Sequence, residues 1–153
     1  MKALNINGTI KIYSNLKSYG GALGLQYSSD SDLQALGFYD IVKPSTNPSQ
    51  ELGAIEWDAD NSVFTYPVVN KTYSETVAKL KTKKIENLKY IYNNKLAKTD
   101  WYVISASEGG SAMPSDITTE RGDLRTECET KEGEINALST KASIVDYQLP
   151  NIV

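Results

Sequence analysis

At residue 72 the spacing of apolar residues changes period, and this change constrains the fold more than any other feature. Before it, apolar side chains alternate. Leu4 and Ile6 fall on one arm, Ile10 and Ile12 on another, and Asn7-Gly8 stands between them. Alternation is the period of a strand with one buried face, and Asn-Gly accepts the positive φ angles of a type I′ hairpin turn. After residue 72, Val77, Leu80, Ile85 (or Lys84), Leu88, Ile91 and Tyr92 recur at three- and four-residue steps. That is the period of an amphipathic helix. The expected fold is therefore α+β, a small antiparallel β domain over residues 1–71 followed by a long antiparallel helical hairpin over 72–140. Residues 141–153, with little pattern and with Pro150, read as a C-terminal arm that docks on a partner.

Within the first part, residues Lys2 to Tyr13 predict the hairpin. Ser14 to Ser29, with Gly20, Gly21 and Gly24, read as a surface or interface loop. Ser31 to Leu36 predict one short helical turn capped by Ser31 and closed by Gly37. Phe38 to Val42 read as a strand. A second hairpin is expected from Ala54–Trp57 and Val63–Val69. Pro67 cannot donate to a ladder, so its strand lies at an edge or ends there.

The first long helix is expected from Thr72, with Thr72 and Glu75 as a capping box, to about Leu96. Thr99 to Ile104 break the pattern and open a long connection that ends at Pro114. Ser115 is the expected cap of the second helix. Its residues Ile117, Arg121, Leu124, Cys128, Lys131, Ile135 and Leu138 form a heptad-like seam interrupted by Arg121 and Lys131. Gly122 and Gly133 each weaken a helix by about 1 kcal/mol relative to Ala. Residues 74–98 hold seven lysines and two acids, whereas 115–135 hold seven acids and three bases. Opposite charge favours pairing of these two helices with each other. Exposed ion pairs contribute little, so the apolar seam must supply most of the stability.

Composition excludes much chemistry. The chain has 153 residues, no histidine and one cysteine, Cys128. The commonest general base and metal ligand are absent, and an intrachain disulfide is impossible. No enzymatic signature is found, so the expectation is a non-enzyme with no cofactor and no metal. The net charge of −3 gives no global field for nucleic acid. No apolar run is long enough to cross a bilayer, and Met1 to Gly8 lack the apolar centre of a signal peptide. Neither nucleic acid nor membrane is expected as a partner.

Each candidate site has a plain structural alternative. Asp58, Asp60 and Asn61 resemble the start of a calcium loop, but Val63 and Val69 stand where that loop needs Gly and Glu, so a hairpin turn is the better reading. The lysine-rich helix reads as a solvated face matched to the acidic helix, because no aromatic stacking platform accompanies it. Trp101 and Tyr102 either plug the end of the hairpin core or anchor an interface. Arg121 and Arg125 can bind Asp100 or Glu108, or a partner's carboxylates. Trp57 and the tyrosines of the first half are the hints of a carbohydrate-binding module.

Two stretches resemble a known kind of protein. Leu36–Val42 with Gln50–Ile55 and Val63–Val68 resembles the N-terminal part of small bacteriophage tail-region proteins. Leu96–Ile104, followed by Glu108-Gly109, Pro114, Ile117, Arg121, Leu124 and Arg125, is similar to the helical-hairpin module that ends phage tail-fibre assembly proteins. Together they cover about two-thirds of the chain. The resemblance implies a virion structural protein of the tail or tail fibres that connects other virion proteins, present in several copies and made in the host cytoplasm. A fibre-assembly chaperone is the alternative it carries, and it implies no enzymatic activity.

Overall fold

A computed structural model describes residues 1–151. The chain forms two compact units, Met1–Lys71 and a second that begins at Thr72.

In the first unit, strands β1 (Lys2–Ile6) and β2 (Thr9–Tyr13) pair antiparallel with Leu4 opposite Lys11. Asn7 (φ 50°) and Gly8 (φ 84°) make the turn, and the Gly8 N–H donates to Asn5 Oδ1 at 2.9 Å. The expected loop over 14–29 carries more structure than its composition implies. Strands β3 (Ser18–Tyr19) and β4 (Ala22–Leu23) form a miniature hairpin turning on Gly20 and Gly21, and a 3₁₀ turn at Leu25–Tyr27 follows. Leu16 and Leu25, on either side of that hairpin, are buried and hold it to the core.

Helix α1 (Asp30–Ala35) is capped by Ser29, not Ser31, because Ser29 Oγ is the atom within reach (3.2 Å) of the third helical N–H, that of Asp32. Strands β5 (Tyr39–Val42), β6 (Gln50–Leu52), β7 (Glu56–Asp58), β8 (Val63–Thr65) and β9 (Val68–Asn70) complete the unit. The main sheet has the order β2-β1-β5-β8-β7, antiparallel except for the parallel β5–β8 pair. The second hairpin pairs Trp57 with Phe64, and its strand stops before Pro67. Beyond the proline, β9 leaves for a separate ribbon with β6. Leu4, Leu16, Leu25, Leu33 and Phe38 form the core, with the Tyr13 and Tyr19 rings edge-on to Phe38 at 5.3 and 5.0 Å.

Among the described residues the second unit holds four helices, α2 (Val77–Ala97), α3 (Asp100–Ser107), α4 (Ser115–Ala137) and α5 (Lys141–Asp146). Helix α2 begins later than expected. Thr76 Oγ1, rather than Thr72, accepts the Lys79 N–H, and Glu75 instead pairs with Lys79 and Lys83. Pro114, not Ser115, takes the cap position of α4. Contacts from Lys81 to Asn136, Lys89 to Glu132 and Leu96 to Arg121 run in opposite chain directions, so α2 and α4 are antiparallel. Their core is Leu88, Tyr92 and Ile135, flanked by Ile85, Leu124 and Cys128. Each of those three large side chains contributes roughly 2 kcal/mol by leaving water.

The segment expected as a docking arm folds back instead. Thr140 and Ser143 form a reciprocal capping box, Ile144 is buried, and Tyr147 and Leu149 cover the α2–α4 core. Apolar residues at 144, 147 and 149 are too few for a periodic signal, and their burial becomes visible only with α2 in place. Ile152 and Val153 lie outside the described residues. Among the described residues no helix is long and apolar enough to cross a membrane.

Candidate docking site

The expected break at Thr99–Ile104 is helix α3. Its sequence, Asp100-Trp101-Tyr102-Val103-Ile104-Ser105-Ala106-Ser107, starts with a carboxylate in the first turn, where the helix dipole favours negative charge. It ends in a glycine closure. Gly109 adopts φ 85°, and the Gly110 N–H returns to the Ser105 carbonyl at 2.8 Å. A Cβ on Gly110 would lie 2.7 Å from that carbonyl oxygen, so this exit requires glycine. Four contiguous apolar residues show no periodicity, which hides the helix from pattern reading.

Arg121 fixes the base of α3. Its guanidinium, on a side chain only 7% exposed, reaches from α4 to the end of α2 and the start of α3. Nη1 donates to the Leu96 carbonyl at 2.7 Å and to Thr99 Oγ1 at 2.6 Å, and Nη2 donates to Asp100 Oδ1 at 2.9 Å. Thr99 Oγ1 in turn donates to the Leu96 carbonyl. An arginine interrupts the apolar seam because the last turn of α2 presents carbonyls that need donors. Of the acids considered for it, Arg121 takes Asp100. Arg125 donates only to the Arg121 carbonyl, at 3.5 Å, and forms no ion pair among the described residues. It lines a groove of about 340 Å³ between α2 and α4 with Asn93, Leu96 and Leu124.

On this fixed base, α3 presents its apolar side chains to solvent. Trp101 is 69% exposed and Ile104 49%, with Tyr102 and Val103 also exposed. Trp101 therefore does not plug the hairpin core; Tyr92, Leu88 and Ile135 fill it. A helix apolar on all sides is normally buried. Exposed apolar surface of this kind makes α3 the candidate contact site.

The lysines of α2 are largely engaged within the unit. Lys81 donates to the Asn136 carbonyl and Lys84 to that of Val145, each at the end of a helix, while Lys89 pairs with Glu132. Burial pulls the Lys84 ammonium below its ordinary pKa. At the β7–β8 turn, Asp58 accepts from the Asp60 and Asn61 N–H groups and from Asn61 Nδ2, which hold its carboxyl below the usual aspartate value; Asn61 Nδ2 is the largest cause. Its oxygens serve the turn.

The structure thus brings Trp101, Tyr102, Arg121 and Arg125 into one unit, whereas Trp57 belongs to the first. Sequence reasoning missed Val103 and Ile104 as exposed partners of Trp101, and Thr99 as the hub of the staple. The signal available was Asp100 followed nine and ten residues later by Gly109-Gly110. Comparison with protein-family models, curated proteins and solved structures finds no match to this chain.

Proposed function

We propose that this chain is a non-enzymatic structural component of a bacteriophage tail or its fibres, joining other virion proteins and docking on one of them through α3. One observation carries the reading. An eight-residue helix exposes Trp101, Tyr102, Val103 and Ile104 while a buried arginine fixes its base. Large aromatic anchors on rigid supports are what dominate binding at protein interfaces. The stretch that resembles the fibre-assembly hairpin module, Leu96–Ile104 with Pro114, Arg121 and Arg125, spans this staple and helix. Virion parts obey the particle's symmetry, so several copies per particle are expected.

The test is mass spectrometry and in-particle crosslinking of purified phage. The chain is expected at fixed stoichiometry, with crosslinks from α3 to another virion protein. Trp101→Ala should leave the fold intact and weaken incorporation by roughly tenfold or more, the effect of a hot-spot residue. A chain bound to fibre protein in the infected cell but missing from finished particles would establish the chaperone reading instead. A chain found in neither place would overturn both.

A further inference from the structure

We propose that the first unit binds a neutral sugar residue in the cleft walled by Tyr39, Trp57 and Phe64. This site is independent of α3 and of the connector reading.

The cleft measures about 290 Å³ and is lined by Leu4, Asn5, Gly37, Tyr39, Trp57 and Phe64. That lies at the lower end of ligand-pocket sizes and suits a single ring rather than an extended molecule. Its wall is built, not incidental. Trp57 and Phe64 are register partners on β7 and β8, and their rings meet edge-on at 5.1 Å. Tyr39 meets Trp57 at 4.6 Å. Trp57 is nonetheless 40% exposed as a residue, so part of it remains open to a ligand. Gly37 helps keep the space: a Cβ there would meet Leu4 Cδ1 at 2.8 Å.

The polar groups around the cleft select the ligand. Asn5 Oδ1 is occupied by the Gly8 N–H, which leaves the Asn5 amide hydrogens as donors. Neither the Tyr39 hydroxyl nor the Trp57 N–H has a hydrogen-bond partner among the described residues. An aromatic face flanked by one amide, one phenol and one indole N–H matches a pyranose, which offers an apolar C–H face and a rim of hydroxyls. No lining residue is charged, so neither an anionic nor a cationic sugar finds a counter-ion. An apolar side chain from a partner protein would cover three donors without replacing their hydrogen bonds to water.

Saturation-transfer NMR on the full chain tests this, using glucose, galactose, mannose and N-acetylglucosamine, with sialic acid as the anionic control. At least one neutral sugar should bind with a Kd on the order of millimolar. Trp57→Ala should weaken it at least about tenfold. Tyr39→Phe keeps the ring and removes one oxygen, so it guards against a Trp57 variant that loses the sheet; it should weaken binding several-fold with an unchanged circular dichroism spectrum. The proposal is overturned if no neutral sugar gives a signal up to about 20 mM. It is equally overturned if the signal survives both substitutions, if sialic acid alone binds, or if in-particle crosslinks show a protein segment seated in the cleft. Failure here leaves docking through α3 standing, and failure of docking leaves the cleft standing.

Discussion

Replacing Arg121 with Met separates the two jobs that this residue performs. Methionine keeps much of the aliphatic stem and removes the guanidinium. The bonds lost are those to the Leu96 carbonyl, Thr99 Oγ1 and Asp100 Oδ1. Bonds from a charged donor are worth about 1.5–3 kcal/mol each when buried. The Asp100 side chain is 51% exposed, so solvent takes over most of that ion pair, and its share falls below about 1 kcal/mol. Thr99 still donates to the Leu96 carbonyl, which softens the loss there. Removing a desolvated cation offsets part of the remainder. The net expectation is a loss of roughly 2–3 kcal/mol. Urea unfolding followed at 222 nm reads it, since the long helices all lie in the second unit. Amide exchange at Trp101–Ile104 should accelerate, because the base of α3 is released. Asp100→Asn, as control, should cost under about 1 kcal/mol. Equal losses in the two variants would refute the carbonyl staple and make the ion pair the working contact. A loss below about 0.5 kcal/mol in Arg121→Met would refute any structural role.

Three further outcomes follow from local geometry. Gly37→Ala should cost roughly 2 kcal/mol in chemical denaturation of the first unit, because φ is +84° and the new Cβ meets the buried Leu4. Gly122→Ala and Gly133→Ala should each stabilise α4 by about 0.5–1 kcal/mol, since nothing lies within 4 Å of either added Cβ; a variant that gains stability but loses its place in the particle would put a partner's backbone against that glycine. Burial first, and then the bond to Glu134, push the Tyr147 phenol up to about 12. Between pH 10 and 12 the unfolded chain releases this proton while the folded chain keeps it, so Tyr147 stabilisation is complete below 10 and is lost as pH rises through 12. Tyr147→Phe should flatten that part of the stability profile relative to the parent chain, with the shared lysine titration cancelling in the difference.

What the sequence reveals is whatever one element carries by itself. The Asn7-Gly8 hairpin and the seam from Ile117 to Leu138 are local patterns, and both are present in the fold; every seam residue of α4 is buried or half-buried. The α+β class follows from the change of period at residue 72. Helix starts are less legible, because Ser29 and Ser31, or Thr72 and Thr76, differ only in which oxygen meets the third N–H. Helix α5 and the Gly20–Gly21 hairpin depend on burial against other elements, which no local pattern announces. At the candidate site, Trp101, Tyr102, Arg121 and Arg125 stand out as residue types. The Arg121 contact with the Leu96 carbonyl joins residues 25 apart, and its backbone acceptor leaves no trace in side-chain identity. Exposure of α3 was equally invisible, since contiguous apolar residues ordinarily imply burial.

The place of β5 in the sheet order has a consequence in time. Hairpins β1–β2 and β7–β8 each close locally, within microseconds of being available. No ladder joins one to the other directly; β5 lies between β1 and β8 and joins them. A ribosome emerging with β2 complete must still add residues 14–65 before the sheet can close. At ordinary synthesis rates that is roughly 3–10 s. Until residue 42 is made, about half of that interval, the β1 edge that will receive β5 stays unpaired, with Ala3 and Leu4 not yet enclosed. The nascent first unit is thus a waiting hairpin with an open edge for many times longer than its own folding takes.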